Sequence, residues 1–145
     1  HDALPISAGL KAAGSSIEER LDEIARTYGV HATSQLSVRV ADLSIISDAM
    51  ARLRSAPPTT LLGEPVDVVD LALPTGALPP TDGIELTGAR VHVVARPSGT
   101  EPKLKCYLEA RVDAESSAAD LPRARAQAAG MLAGLRDEMA SALGV

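Results

Sequence analysis

The segment from Leu104 to Val112 alternates strictly between apolar and polar side chains. Its apolar positions are Leu104, Cys106, Leu108, Ala110 and Val112, and its polar positions are Lys105, Tyr107, Glu109 and Arg111. Successive side chains of a β-strand point to opposite faces, so this pattern predicts a strand with one buried and one exposed face. Such strands are typical of an antiparallel sheet that is covered on one side only.

Three segments have apolar residues at helical spacing and predict amphipathic helices. The first spans residues 16–28 and opens with capping-box spacing between Ser16 and Glu19. The second spans about residues 43–53 and is followed by Pro57-Pro58, and the third begins near Asp120. Further strands are predicted over residues 36–40, 66–71, 84–86 and 91–95, with a linker over 31–35 and a surface excursion over 74–82.

These elements predict an α+β fold for residues 36–145, in which an antiparallel sheet of about four strands carries two helices on one face. The chain is 46% hydrophobic but contains no Phe, no Trp and only two Tyr. We therefore expect a core built almost entirely from aliphatic side chains.

The loop between the strand at 91–95 and the strand at 104–112 has the sequence Arg-Pro-Ser-Gly-Thr-Glu-Pro-Lys, from Arg96 to Lys103. A guanidinium can hold two phosphate oxygens at once, and the hydroxyls of Ser98 and Thr100 are short hydrogen-bond donors. Gly99 would let the backbone adopt conformations closed to other residues, so that consecutive N–H groups point at one anion. The loop is predicted to bind phosphate, and it is not a Walker loop because Thr-Glu-Pro follows the glycine.

Composition and charge argue against several classes of protein and partner. The net charge of −5 leaves no basic excess for nucleic acid, and Cys106 is the only cysteine, which excludes a disulfide framework. No apolar run is long enough to span a membrane, and no secretion signal opens the chain. We expect a cytoplasmic protein that binds neither nucleic acid nor membranes.

Several titratable residues have an ordinary structural interpretation. Glu101 is expected to face solvent or to tether a neighbouring cation rather than to act as a general base, and His92 to be a hydrogen-bonded strand residue. His31 falls in the predicted linker, where it would be solvated. Cys106 is expected to be a small core residue, and Lys105 to add positive potential beside the loop or to be solvated.

The loop, the alternating strand after it and the C-terminal helix together resemble the C-terminal domain of the α-D-phosphohexomutases, the phosphoglucomutases and phosphomannomutases. The resemblance covers about residues 36–145 and implies the TBP-like fold of that domain. Residues 1–35 would be a remnant of the preceding domain, whose last helix is 16–28, followed by a linker. Residues 1–7 match no family segment and are interpreted as a non-native end of a truncated chain.

The resemblance implies a four-domain enzyme that interconverts hexose 1-phosphates and 6-phosphates by way of a bisphosphorylated sugar. This domain would bind the substrate phosphate that is not reacting, through Arg96, Ser98, Gly99, Thr100 and Lys103. The phosphoserine, the Mg²⁺-binding aspartate loop and the sugar-reading loop of the family have no counterpart here. The resemblance therefore implies no catalytic and no metal-binding residue on this chain, with Mg²⁺ bound by another domain of the parent enzyme.

Two other functions remain open from the sequence. The chain could be a stand-alone module that binds phosphorylated sugars without turnover, in which case a start codon would lie near Ser7. A nucleic-acid-binding α+β domain is disfavoured by the charge and by the lack of aromatic residues on which bases could stack.

Overall fold

A computed structural model describes residues 16–73, 79–114 and 120–145. The helices are α1 (Ile17–Tyr28), α2 (Leu43–Ser55) and α3 (Asp120–Leu143). The strands are β1 (Val30–Arg39), β2 (Thr60–Leu61), β3 (Glu64–Pro65), β4 (Asp67–Asp70), β5 (Ile84–Thr87), β6 (Val91–Pro97) and β7 (Lys103–Val112). The predictions for residues 1–7, and for 74–78 within the surface excursion, lie outside the described residues.

Five strands form one antiparallel sheet in the order β1–β7–β6–β5–β4. The α+β class with an antiparallel sheet is confirmed, but the expected four strands are five. The linker predicted over residues 31–35 is wrong, because β1 begins at Val30 and pairs with β7 along its whole length, from Val30 opposite Val112 to Arg39 opposite Lys103. Pairing with the long neighbouring strand extends β1 beyond the short alternating segment that the sequence shows.

Strand β7 shows the alternation that the sequence predicts. Leu104, Cys106, Leu108 and Ala110 are at most 2% exposed, and the residues between them are half-buried or exposed. The buried face packs against residues of α2 and α3, including Met50, Leu53, Leu135 and Met139. The opposite side of β1, β7, β6 and β5, which carries the polar positions of these strands, is called the open face below.

Helix α1 begins with the predicted capping box. The Ser16 hydroxyl accepts a hydrogen bond from the Glu19 N–H at 3.1 Å, and the Glu19 carboxylate accepts one from the Ser16 N–H at 3.3 Å. The helix ends at Gly29, whose φ of 88° lies in the region that favours glycine. Ile17, Leu21, Ile24 and Tyr28 are all exposed, so the apolar stripe of α1 is not covered by the described part of the chain.

Asp42 is the N-cap of α2, and the hydrogen bonds it accepts from Ser44 lower the pKa of its carboxyl.

The β2–β3 hairpin lies between α2 and β4, and it was not predicted from the sequence. Its two turn residues, Leu62 and Gly63, both have positive φ, and the Leu62 N–H donates to Glu138 of α3 at 2.9 Å.

Helix α3 crosses the buried face of the sheet, packing on β1 and β7. At the C-terminal end of α3, the Leu143 carbonyl accepts a hydrogen bond from the Arg52 guanidinium at 2.8 Å. This bond satisfies one of the carbonyls that a helix end leaves free. In the described residues, no helix combines the length and the apolar character that a membrane crossing needs.

Candidate functional site

The loop that the sequence singles out forms the tip of the β6–β7 hairpin. The Ser98 N–H donates to the Lys103 carbonyl at 2.8 Å, and the Lys103 N–H donates to the Glu101 carbonyl at 2.7 Å. From outside the hairpin, the Val40 N–H donates to the Pro102 carbonyl at 2.9 Å. The base of the loop is thus fixed by backbone hydrogen bonds, and its tip projects beyond the sheet.

Arg96 and Lys105 lie opposite each other on β6 and β7, at the loop end of the open face. Neither side chain forms a hydrogen bond or an ion pair with the described residues. Most cationic side chains in the same residues do have a carboxylate partner, for example Arg90 with Glu64 and Arg125 with Asp22. The guanidinium of Arg96 is therefore free to bind an anion without first breaking an internal contact.

The short polar residues of the loop lie next to one another. The Thr100 N–H approaches the Ser98 hydroxyl oxygen at 3.4 Å. Ser98 accepts this weak bond, which leaves its O–H free to donate, and the Thr100 side chain is exposed. Both hydroxyls are thus accessible to a ligand at the tip of the hairpin.

Gly99 differs from the expectation. Within the described residues, the glycines with positive φ are Gly29, Gly63 and Gly144, so Gly99 does not use the left-handed conformations that the sequence argument assigned to it. A Cβ built on Gly99 would meet no atom within 4 Å. The relevant property of this glycine is the open space above an exposed backbone.

Lys103 belongs to a local cluster of ion pairs. Glu101 lies 3.1 Å from the Lys103 ammonium and 2.8 Å from the Arg39 guanidinium. The hydrogen bond from Lys103, together with the nearby positive charges, lowers the pKa of Glu101 below its ordinary value of 4.5. The interpretation of Glu101 as a tether for a cation is confirmed.

Arg39 and Lys105 complete the set of charges around the loop. Four cations, Arg39, Arg96, Lys103 and Lys105, lie on β1, β6 and β7 at this end of the sheet, and Glu101 pairs with two of them, Arg39 and Lys103. Arg39 was not predicted as a site residue, because its position opposite Lys103 depends on the register between β1 and β7. Such a concentration of positive charge favours an anionic ligand.

Three further titratable residues, Cys106, His92 and His31, have definite surroundings in the described part of the chain. Burial raises the pKa of the Cys106 thiol to about 12, which agrees with its interpretation as a core residue. His92 is hydrogen-bonded to Glu85 at 2.9 Å, as expected. His31, predicted to be solvated in a linker, instead lies in β1, with its Nδ1 3.3 Å from Glu109.

A metal ion finds no suitable group of ligands in the described residues. Nowhere in residues 16–73, 79–114 or 120–145 do three His, Cys, Asp or Glu side chains come together in a way that could hold one. The expected Mg²⁺ site on another domain of the parent enzyme stays a prediction.

Comparison with known proteins shows a consistent set of relatives. Residues 36–127 match the family model for the phosphoglucomutase/phosphomannomutase C-terminal domain. A protein of Haemophilus influenzae, named a probable phosphomannomutase, is 37% identical over 109 residues, which are 74% of this chain but only 22% of that relative. The chain thus spans about a fifth of the length of this curated relative.

A solved structure supports the fold. The open form of the exocytosis-sensitive phosphoprotein parafusin, a phosphoglucomutase from Paramecium, superposes with a TM-score of 0.58 at 17% sequence identity. The match covers 90% of this chain and 24% of the parafusin chain. At this identity the likeness concerns the fold alone.

Proposed function

Because the chain belongs to the phosphoglucomutase/phosphomannomutase family and carries the C-terminal domain of that family, we propose that its β6–β7 loop binds the non-reacting phosphate of a phosphorylated sugar. The observation that carries this proposal is the pair of unpartnered cations, Arg96 and Lys105, beside the open backbone at Gly99. A phosphate there would receive two charge-assisted contacts, and the hydroxyls of Ser98 and Thr100 would complete its coordination.

Lys103 has a different role in this proposal. Its ammonium is already paired with Glu101, so it contributes positive potential and fixes the loop more than it contacts the phosphate directly. The substrate would be a hexose 1-phosphate or 6-phosphate, and binding of its remote phosphate would orient the reacting end.

The reaction itself would be completed by the rest of the parent enzyme. This chain spans 22% of the relative from Haemophilus influenzae. We propose that the parent is an isomerase that transfers a phosphoryl group by way of a bisphosphorylated sugar, and that its serine and Mg²⁺ sites lie outside this chain. A coupled assay with glucose 1-phosphate should then show no turnover by the isolated chain, whereas measurable turnover would contradict this division of roles.

Helix α1 would belong to the preceding domain of the same parent. Its apolar stripe is exposed, and Leu21 is 56% accessible to solvent. A domain surface that packs against this stripe would remove it from water. The alternative function, a phosphosugar-binding module without turnover, predicts the same ligand, and the coding sequence upstream of residue 1 would distinguish the two.

Isothermal titration of the chain with inorganic phosphate and with glucose 6-phosphate tests the binding proposal. Arg96→Ala should weaken both ligands by about tenfold to a hundredfold, because a charge-assisted hydrogen bond contributes about 1.5–3 kcal/mol. Arg111→Ala is the matched control, since Arg111 also lies on the exposed side of β7 but far from the loop, paired with Asp113. Equal binding by Arg96→Ala and the original chain would overturn the proposed role of the loop.

A further inference from the structure

The open face carries three rows of side chains that run across β1, β7 and β6. Arg96, Lys105 and Ser37 form the first of these rows, toward the loop, and Val94, Tyr107 and Gln35 form the next. His92, Glu109 and Thr33 form the third. Because alternate residues of a strand are about 7 Å apart, the third row lies about 14 Å from the cations.

A groove of about 500 Å³ follows the second and third rows and reaches Arg96 of the first, whereas Lys105 is not among the residues that line it. Its lining includes Arg96 at one end, Val94 and Tyr107 in the middle, and Glu109 at the other end. This volume lies within the range of about 300–1,000 Å³ that is usual for small-molecule sites. The groove therefore has room for a ligand larger than phosphate.

Tyr107 and Val94 give the middle of the groove an apolar floor. They are direct partners in the β6–β7 register, and the Tyr107 ring is 41% exposed. The Tyr107 hydroxyl makes no hydrogen bond with the described residues. A half-exposed aromatic ring with a free polar tip suits a ligand that has both C–H surface and hydroxyl groups.

The far row supplies hydrogen-bonding groups. Glu109 lies between two imidazoles, 3.3 Å from His31 and 3.8 Å from His92. Its carboxylate is 42% exposed and retains lone pairs that can accept bonds from ligand hydroxyls. The neighbouring Thr33 hydroxyl can both donate and accept.

From this order of groups we propose that the groove holds the sugar ring of the ligand, with the C–H face of the ring against Tyr107. This inference rests on the proposed phosphate site. The phosphate would bind Arg96 at the loop end of the groove, with Lys105 opposite Arg96 on the neighbouring strand, and the ring hydroxyls would point toward Glu109 and Thr33. Tyr107 is then a positioning residue that makes the domain bind a phosphorylated sugar more tightly than phosphate alone.

The two tyrosines of the chain allow a direct test. With no Trp and no Phe present, a Tyr28→Phe variant has Tyr107 as its only tyrosine fluorophore. Tyr28 lies on α1 and is 67% exposed, so its replacement should leave the groove intact. Fluorescence and the Tyr107 ring-proton resonances would be followed during titration with inorganic phosphate, glucose 6-phosphate, mannose 6-phosphate and adenosine monophosphate.

We expect the sugar phosphates to bind about threefold to tenfold more tightly than inorganic phosphate, and to perturb the Tyr107 fluorescence and ring resonances. Tyr107→Ser should remove this advantage without weakening phosphate binding, while Tyr28→Ser serves as the matched control. Circular dichroism would establish that each variant is folded. If Tyr107→Ser unfolds, the Tyr107 signals of the Tyr28→Phe protein still test the contact between Tyr107 and the sugar ring.

The other outcomes separate the two proposals. Phosphate and sugar phosphates of equal affinity, with no response from Tyr107, would overturn the ring site and leave the phosphate site standing. Absence of binding by every ligand would overturn both. If adenosine monophosphate bound more tightly than either sugar phosphate, the groove would favour a base stacked on Tyr107 over a sugar ring. That result would also overturn the inference.

Discussion

At the scale of single residues, the loop end of the open face contains cations of two kinds. Arg96 and Lys105 have no hydrogen-bond or ion-pair partner among the described residues, whereas Lys103 and Arg39 share Glu101. A ligand can use the first pair without displacing a carboxylate. The second pair is already partly neutralised, which limits the net positive charge and holds the loop in place.

The pKa of Glu101 provides a test of this cluster. A titration followed by NMR should place its midpoint below 4.5, and Lys103→Met should raise it, because the bond from Lys103 is the main cause of the lowered pKa. A carboxyl with a lowered pKa in the folded state stabilises the protein above its unfolded pKa, and this stabilisation is lost as the pH falls through the folded value. An unchanged midpoint in Lys103→Met would show that the cluster does not persist in solution.

At the scale of elements, α3 contains two glycines one turn apart in different surroundings. A Cβ on Gly130 would meet no atom within 4 Å. A Cβ on Gly134 would lie 2.7 Å from Leu62 Cδ2, and Leu62 is held in the hairpin turn by its bond to Glu138. The second glycine thus allows the β2–β3 hairpin to approach the helix.

Alanine substitutions should separate these two roles. Gly130→Ala is expected to raise the free energy of unfolding by about 0.8–1 kcal/mol, because alanine has the higher helix propensity. Gly134→Ala should lack this gain or destabilise the protein, since Leu62 must move. Urea denaturation measures both, and an equal stabilisation by the two substitutions would show that the hairpin does not pack closely on α3.

At the scale of the whole molecule, helices cover one face of the five-stranded sheet, and the described residues leave the apolar stripe of α1 exposed. The core is aliphatic, as the composition predicts, and its largest fully buried side chains are Leu, Ile, Met and Val. Helix α1 contacts β1 and α3, but its own large apolar residues face outward. We therefore expect this stripe to contribute little to the stability of the described fold.

The double substitution Leu21→Lys with Ile24→Lys should therefore change the free energy of unfolding by no more than about 0.5 kcal/mol. Dynamic light scattering should show less self-association, because the exposed apolar area is smaller. Leu53→Ala, at a fully buried position, is the contrasting control and should cost about 2–5 kcal/mol. A comparable loss of stability from the double substitution would show that the stripe is packed within the fold of this chain.

Much of the fold and part of the site could be predicted from local patterns. The strict alternation over Leu104–Val112, the capping box at Ser16 and the proline stop after α2 each depend on neighbouring residues, and each is found where expected. The β2–β3 hairpin could not be predicted, because its strands are two residues long and its turn places Leu62 at a positive φ. Packing against α3 stabilises that turn.

The sequence by itself determined the class of fold and the position of the β6–β7 loop that we propose as a phosphate site, because strand alternation, helix periodicity and an eight-residue motif are local properties. Only the tertiary structure decided the length of β1, the opposition of Arg96 and Lys105, and the rows that place Tyr107 between cations and Glu109. These features depend on strand order and register, which arise from pairing between segments far apart in the chain.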